Sequence, residues 1–162
     1  MCVTKDKYKF KSVDIAKLII ARLNNRQYGV SPNKVQGLLY IAYGLWLRAL
    51  KYRLTDERPE VWLQGPVFRA VYEEFENSTQ PILLDIKEED VNEEIRNDEN
   101  LKKVLETVLN DFGEWTEESL SIWNRRKGTP WWNVVENNEK WENLPISDSE
   151  TYEFFARIYD YE

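Results

Sequence analysis

Apolar residues crowd residues 13–24, where Val13, Ile15, Ala16, Leu18, Ile19, Ile20 and Leu23 dominate and polar residues such as Asp14, Lys17, Asn24 and Asn25 occupy the narrow remaining face. So wide an apolar arc at helical spacing predicts a mostly buried helix, with Ser12 as its N-cap. Tyr28-Gly29-Val30 breaks the pattern and Ser31-Pro32 restarts it. Ser serves there as N-cap and Pro takes the first helical position, where its missing N–H costs nothing. As far as Lys51, Val35, Leu38, Leu39, Ala42, Trp46, Ala49 and Leu50 keep the i, i+3, i+4, i+7 rhythm, and Tyr40, Ile41, Tyr43, Leu45 and Leu47 fill the other sides. A helix apolar almost all round belongs at the centre of the molecule. Gly37, Ile41 and Gly44 share one of its faces. Glycine costs about 1 kcal/mol in a helix interior, so this pair predicts a neighbouring helix packed close against it.

Beyond Arg53 the chain is rich in turn residues, Thr55 to Pro59, before the short apolar run Val61-Trp62-Leu63. That run is extended in character, and Pro81-Ile-Leu-Leu-Asp85 is its expected partner in a minimal two-stranded element. Gly65-Pro66 is expected to open a third helix, with Val67, Phe68, Val71, Tyr72 and Phe75 inward and Glu73, Glu74 and Glu76 outward. Residues 88–97 read as a loop or weak surface helix around Val91 and Ile95. Leu101, Val104, Leu105, Val108, Leu109 and Phe112 then form a clean amphipathic face, closed by Gly113 at C′. Thr116 caps a helix with Leu120 and Trp123 inward, and Gly128 stops it. Thr129-Pro130 starts a short helix bearing Trp131, Trp132, Val134 and Val135, and Ser147-Asp-Ser-Glu150 spells a capping box for a last helix that buries Tyr152, Phe155, Ile158 and Tyr159. The reading is mainly α: one compact domain of about six or seven helices over residues 12–162. Residues 1–11 form an N-terminal arm whose alternating Lys and aromatic residues, Lys5 to Lys11, suit a loose solubilising end or contact with nucleic acid.

Composition sharpens the functional side. A chain of 162 residues is one domain, and 7 Trp, 9 Tyr and 6 Phe supply a core that excludes general disorder. There is no histidine, which removes Ser-His-Asp and Cys-His catalysis and the HExxH type of zinc site. One cysteine, Cys2, removes thiolate zinc clusters and CxxC redox chemistry, and fits a reducing compartment such as the cytoplasm. No phosphate-binding glycine loop, Asp-x-Asp-x-Asp-Gly pattern or apolar run long enough to span a membrane occurs, so no cofactor, no metal and no membrane partner are expected. Paired carboxylates acting with Mg²⁺ remain the one route to an enzyme, and a binding protein is favoured over it.

The charge is uneven. Residues 1–80 hold 13 Lys/Arg and 8 Asp/Glu, a net of +5, whereas residues 81–162 hold 9 and 21, a net of −12. Unlike faces steer a charged partner. The acidic half suits a basic partner, and Lys34, Arg48, Lys51 and Arg53 would serve a nucleic-acid-binding autoregulator. Two spots stand out as partner contacts. Around Gly65-Pro66 lie Trp62, Gln64 and Arg69; around Pro130 lie Trp131 and Trp132, with Trp123, Arg125 and Arg126 just upstream. Adjacent helical Trp residues point about 100° apart, so one of Trp131 and Trp132 is expected at the surface, where Trp and Arg are enriched in interface hot spots. Tyr40, Trp46 and Phe112 are assigned to the core.

The capped helix pair with Lys34-Val-Gln-Gly-Leu-Leu-Tyr40, then Val61-Trp-Leu-Gln-Gly-Pro-Val67 followed by Val71, Tyr72 and Phe75, then Asp111-Phe112-Gly113, Thr116-x-x-x-Leu120 and Pro130-Trp131, occur in the order of a known family. Over roughly residues 12–160 the chain resembles the Panacea antitoxin domain, also called SocA-like or phage-associated GepA-like. Many members carry a Thr-His pair before the Pro-Trp; this chain reads Ile122-Trp-Asn-Arg-Arg126 there, so no role for that His carries over and Trp123 is expected to fill its place by packing. The resemblance implies a bacterial antitoxin encoded in the same operon as its cognate toxin and neutralising it by direct protein contact. Toxins of such pairs include alarmone-synthetase-like nucleotide or pyrophosphate transferases. A proteolytic adaptor that hands the toxin to a protease is the alternative the resemblance itself offers.

Overall fold

The computed structural model describes residues 3, 4 and 6–159. Cys2, Lys5 and the last three residues, and the expectations resting on them, lie outside that set. The strands and α-helices are β1 (Tyr8–Phe10), α1 (Ser12–Asn25), α2 (Pro32–Leu50), β2 (Arg53–Thr55), β3 (Glu60–Trp62), β4 (Gly65–Val67), α3 (Arg69–Phe75), α4 (Gln80–Leu84), α5 (Glu93–Arg96), α6 (Glu99–Phe112), α7 (Glu117–Arg125), α8 (Pro130–Asn137) and α9 (Asp148–Ile158). The fold is mainly α, as the periodicity predicts; the helices beyond the expected number are the single turns α4 and α5.

Helix α2 is the axis. From Lys34 to Leu47 every residue is buried, and α1, α6, α7 and α9 all pack on it. Its start follows the expected device: Ser31 Oγ accepts the Lys34 amide with Pro32 in the first turn, and Lys51 ends it in the left-handed region at φ 63°. The same capping chemistry sets the other helices. Asp98 accepts from Leu101 N–H, Thr116 from Ser119, Thr129 from Trp132 and Ser147 from Glu150. The α1 cap differs from expectation. Ser12 is the first helical residue after Lys11, and its hydroxyl reaches Glu57 instead of its own helix.

The two glycines of α2 admit two different helices. Gly37 lies against Leu120 and Asn124 of α7, and Gly44 against the ring of Phe155 in α9. At the far side of that ring runs an aromatic chain: Phe155 to Phe154 at 5.2 Å between centroids, Phe154 to Trp123 at 6.2 Å, and Trp123 to Phe112 at 4.9 Å. In α9 the buried residues are Thr151, Phe154 and Phe155, with Tyr152 and Ile158 only half-buried, so the helix is turned relative to the face expected from its sequence.

Three local expectations are overturned. The segment 81–85 is helix, not strand, because Pro81 starts a turn of α4 that lays Leu83 on the core. Asn24 Nδ2 of α1 donates to the Leu83 carbonyl and, just past the helix, to that of Ile86. Gly65-Pro66 does not open a helix. Glu60–Trp62 turns back through Leu63-Gln64 and pairs antiparallel with Gly65–Val67, with Val61 opposite Pro66. Gly65 has φ +135°, a conformation that side chains disfavour, and this is what allows so tight a return. Helix α3 begins only at Arg69. Finally, Tyr8–Phe10 is not a loose end: it lies parallel to Arg53–Thr55, and the Phe10 ring meets Trp46 edge-on at 6.0 Å.

Candidate functional site

The β3–β4 hairpin is held from three sides. Residues 143–146 run along β3, with Val61 N–H donating to Leu144 and Ile146 N–H to Pro59. On α7, Ser121 Oγ donates to the Gln64 carbonyl. On α8, Trp131 Nε1 donates to the Trp62 carbonyl at 2.9 Å. The strand-to-α3 junction is fixed by Gln36, whose buried side-chain amide accepts Phe68 N–H at 2.8 Å and donates to the Phe68 carbonyl at 3.1 Å. Gln36 thus completes a backbone pair that no strand is there to supply.

These ties bring five of the eight contact candidates to one face. Trp62 is half-buried, its ring 4.8 Å from Tyr72 and under the Arg69 guanidinium at 5.4 Å. Glu60 Oε1 accepts from both Trp62 Nε1 and Arg69, and that carboxylate raises the Arg69 pKa. Arg125 lies over Trp131 at 5.8 Å and donates Nε to Ser121. The Gln64 side chain stands half-exposed in the turn.

The other three candidates are elsewhere. Trp123 is packed among Phe112, Phe154 and Phe155. Arg126 covers its ring at 4.2 Å, and burial lowers the Arg126 pKa. Both therefore serve the inner aromatic chain. Of the adjacent tryptophans, Trp131 is buried and Trp132, half-buried, packs on the core, so neither stands out fully at the surface.

Sequence reasoning passed over the residues that stand furthest out on this face. Leu63 is 74% exposed and Ile122 58%, and they follow Trp62 and Ser121 directly in the chain. Leu63 was hidden inside an apolar run that reads as a strand, and Ile122 inside a helix whose inward face is Leu120 and Trp123. Between the hairpin, the first turns of α2 and α7 lies a cleft of about 230 Å³ lined by Asn33, Gln36, Gln64, Glu118, Asn124 and Arg125, among others. Gln36 and Asn33 also line a second hollow beside Val71, Tyr72 and Phe75.

No group of three or more His, Cys, Asp or Glu side chains among the described residues could hold a metal ion. No helix among them is long and apolar enough to cross a membrane. Of the basic residues named for nucleic acid, Lys34 is buried, with its pKa lowered by that burial, and Arg53 pairs with Asp148 at 2.7 Å. The segment 85–99 packs on α1 with Val91 and Ile95 buried and Glu88 meeting Arg22 at 3.2 Å, while most of its other carboxylates stand exposed.

Residues 35–132 match the family model described as antitoxin SocA-like, Panacea domain. The chain belongs to this family. The match runs from α2 to the first turn of α8, so it includes Gln36, the whole hairpin, α7 and Trp131. Membership supports an antitoxin role and implies a toxin as partner. No curated protein and no solved structure matches the chain.

Proposed function

We propose that this Panacea-domain protein neutralises a cognate toxin, encoded in the same operon and met in the cytoplasm, by direct binding through the face built from the β3–β4 hairpin, α7 and the start of α8. The observation that carries this reading is the hairpin itself. A tight turn with a largely exposed leucine at its tip is held by Ser121, Trp131 and Gln36, and Leu63 and Ile122 stay largely uncovered by the described residues. A large apolar side chain on a pre-organised turn loses little freedom on binding and gains desolvation energy, the pattern of an interface anchor. Trp62, Arg69 and Tyr72 form the rim, in an acidic setting of Glu60, Glu73, Glu117 and Glu118 that favours a partner with a basic surface. Toxins that grip nucleotides or RNA, alarmone-synthetase-like transferases among them, present such surfaces.

The test is co-expression with the neighbouring open reading frame. The neighbour alone arrests growth, and this protein restores it with the toxin's half-life unchanged. A harmless neighbour, or a lethal one that this protein does not restrain, overturns the reading. Rescue accompanied by rapid loss of the toxin would instead identify a proteolytic adaptor.

A further inference from the structure

The first strand carries charge that the rest of the molecule does not answer. Lys7, Lys9 and Lys11 alternate with Tyr8 and Phe10 along β1, and Lys51 follows α2 with its carbonyl accepting Thr4 N–H. All four lysines are exposed and none makes an ion pair among the described residues, whereas Arg22, Arg53 and Arg69 are each held by a carboxylate. The acids next to them in the chain are engaged elsewhere. Asp6 shares a hollow with Arg53 and Arg58, and Asp56 Oδ1 accepts Ser12 N–H at 2.9 Å. Lys11 is also the N-cap of α1, the helix end at which a cation is disfavoured. A chain of net charge −7 thus keeps uncompensated lysines along one short ribbon. The ribbon is firmly placed: β1 pairs with β2, Phe10 meets Trp46, and Trp46 meets Tyr52 at 5.9 Å. Lys7 Nζ stands 4.2 Å from the centroid of that Tyr52 ring. Tyr8 is 50% exposed and has no ring partner among the described residues. Lysines on a strand edge serve to keep other strands away, but an uncovered aromatic ring does not serve that end.

We propose that the β1–β2 ribbon binds single-stranded nucleic acid, with Lys7, Lys9, Lys11 and Lys51 along the phosphates and one base stacked on Tyr8. Free cations beside an exposed ring on an ordered strand are the combination that follows a sugar-phosphate backbone and holds its bases without reading their sequence. Alternate strand residues recur about every 6.5 Å, so the lysines of β1 form a line of charge suited to an extended polyanion. The inference goes beyond the antitoxin reading and uses other residues. Strand β2 follows the last turn of α2, whereas Gln36, which holds the hairpin face, lies fourteen residues before Leu50, about 21 Å back along the helix.

The test is fluorescence anisotropy of a labelled oligo-dT titrated with the full chain, alongside thermal melts of every variant. Three to four phosphate contacts give a slope of log K against log salt of about −2 to −3, so binding should weaken roughly 15–60-fold between 50 and 200 mM salt. Tyr8→Ser should weaken it about fivefold or more, whereas Tyr8→Phe, which keeps the ring, should bind as wild type does. Lys7→Glu with Lys9→Glu should remove most of the binding. Lys102→Glu with Lys103→Glu, the same change of charge at exposed positions of α6, should leave it nearly unchanged. No binding at 50 mM salt would overturn the proposal, as would a Tyr8→Ser variant that binds like wild type or two lysine pairs of equal effect. A duplex bound as tightly as the single strand would also overturn it. So would polyglutamate competing as well as unlabelled oligo-dT, which would mark the ribbon as a site for an acidic protein.

Discussion

Replacing Gln36 should unlock the hairpin face from the inside, and the size of the effect follows from two hydrogen bonds. In Gln36→Ala the Phe68 N–H loses its acceptor in a buried site, at a cost of about 1–3 kcal/mol. The Phe68 carbonyl loses one donor but keeps Tyr72 N–H at 2.9 Å, so its loss is nearer 0.5–1.5 kcal/mol. Together these give roughly 2–4 kcal/mol of destabilisation. Gln36→Glu makes the reasoning stricter. Its carboxylate still accepts Phe68 N–H but turns a second acceptor oxygen toward the Phe68 carbonyl, and burial raises its pKa above the unfolded value of about 4.3. Protonated, it is isosteric with the amide and restores both bonds. A folded pKa raised above the unfolded one gives stability that is present below the unfolded pKa and lost as pH rises through the folded value. Urea unfolding followed by tryptophan fluorescence should therefore show a deficit of Gln36→Glu that grows from about pH 5.5 toward 8, a range above the isoelectric point of 4.9. A deficit for Gln36→Ala below about 0.5 kcal/mol, the scale of ordinary surface changes, or a flat pH profile for Gln36→Glu, would refute the reasoning.

Other consequences are open to equally simple measurements. A methyl group at Gly44 would overlap the Phe155 ring, so Gly44→Ala should lower stability by about 1–3 kcal/mol despite its better helix propensity. Phe155→Leu should then recover part of that loss in a thermal melt of the double variant. Gly37→Ala, whose new atom would stand 3.1 Å from Leu120 Cβ, should be milder. Glu57 accepts from Ser12 Oγ and Ala70 N–H, yet burial outweighs these bonds and raises its pKa above 4.5. Its stabilising contribution is fullest below pH 4.5 and declines as pH rises through the raised value, so an NMR titration of its carboxyl carbon should have its midpoint above 4.5; a midpoint at or below it contradicts this account. Leu63→Asp and Ile122→Asp should leave the melting temperature unchanged while weakening the toxin complex by about tenfold or more in calorimetry.

Much of this architecture can be read from local chemistry. The Ser31-Pro32, Thr116 and Thr129-Pro130 starts need only the residues within one turn, and the apolar girth of α2 announces its central place. The hairpin is another matter. Gly-Pro after a short extended run is equally good grammar for a helix start, and the bonds that decide against it come from Leu144, Ser121 and Trp131, far along the chain. Local propensity also fails at residues 81–85, where Asn24 supplies the acceptor-satisfying amide from another helix. At the site, Trp62, Gln64, Arg69, Arg125 and Trp131 carry recognisable interface chemistry in one dimension and do meet in three. Trp123 and Arg126 carry the same chemistry, but the rotation of α7 turns Trp123 to the aromatic chain of α9. Gln36 carries no such signal, because its importance lies in a backbone brought to it by the fold.

The central claim, that the hairpin, α7 and the start of α8 bind the toxin, is tested most directly by hydrogen exchange on the purified complex with the neighbouring gene product. The account predicts new protection at residues 60–72 and 117–132, with the α4–α5 side unchanged. Protection confined to residues 80–99, or no complex at all, would contradict it.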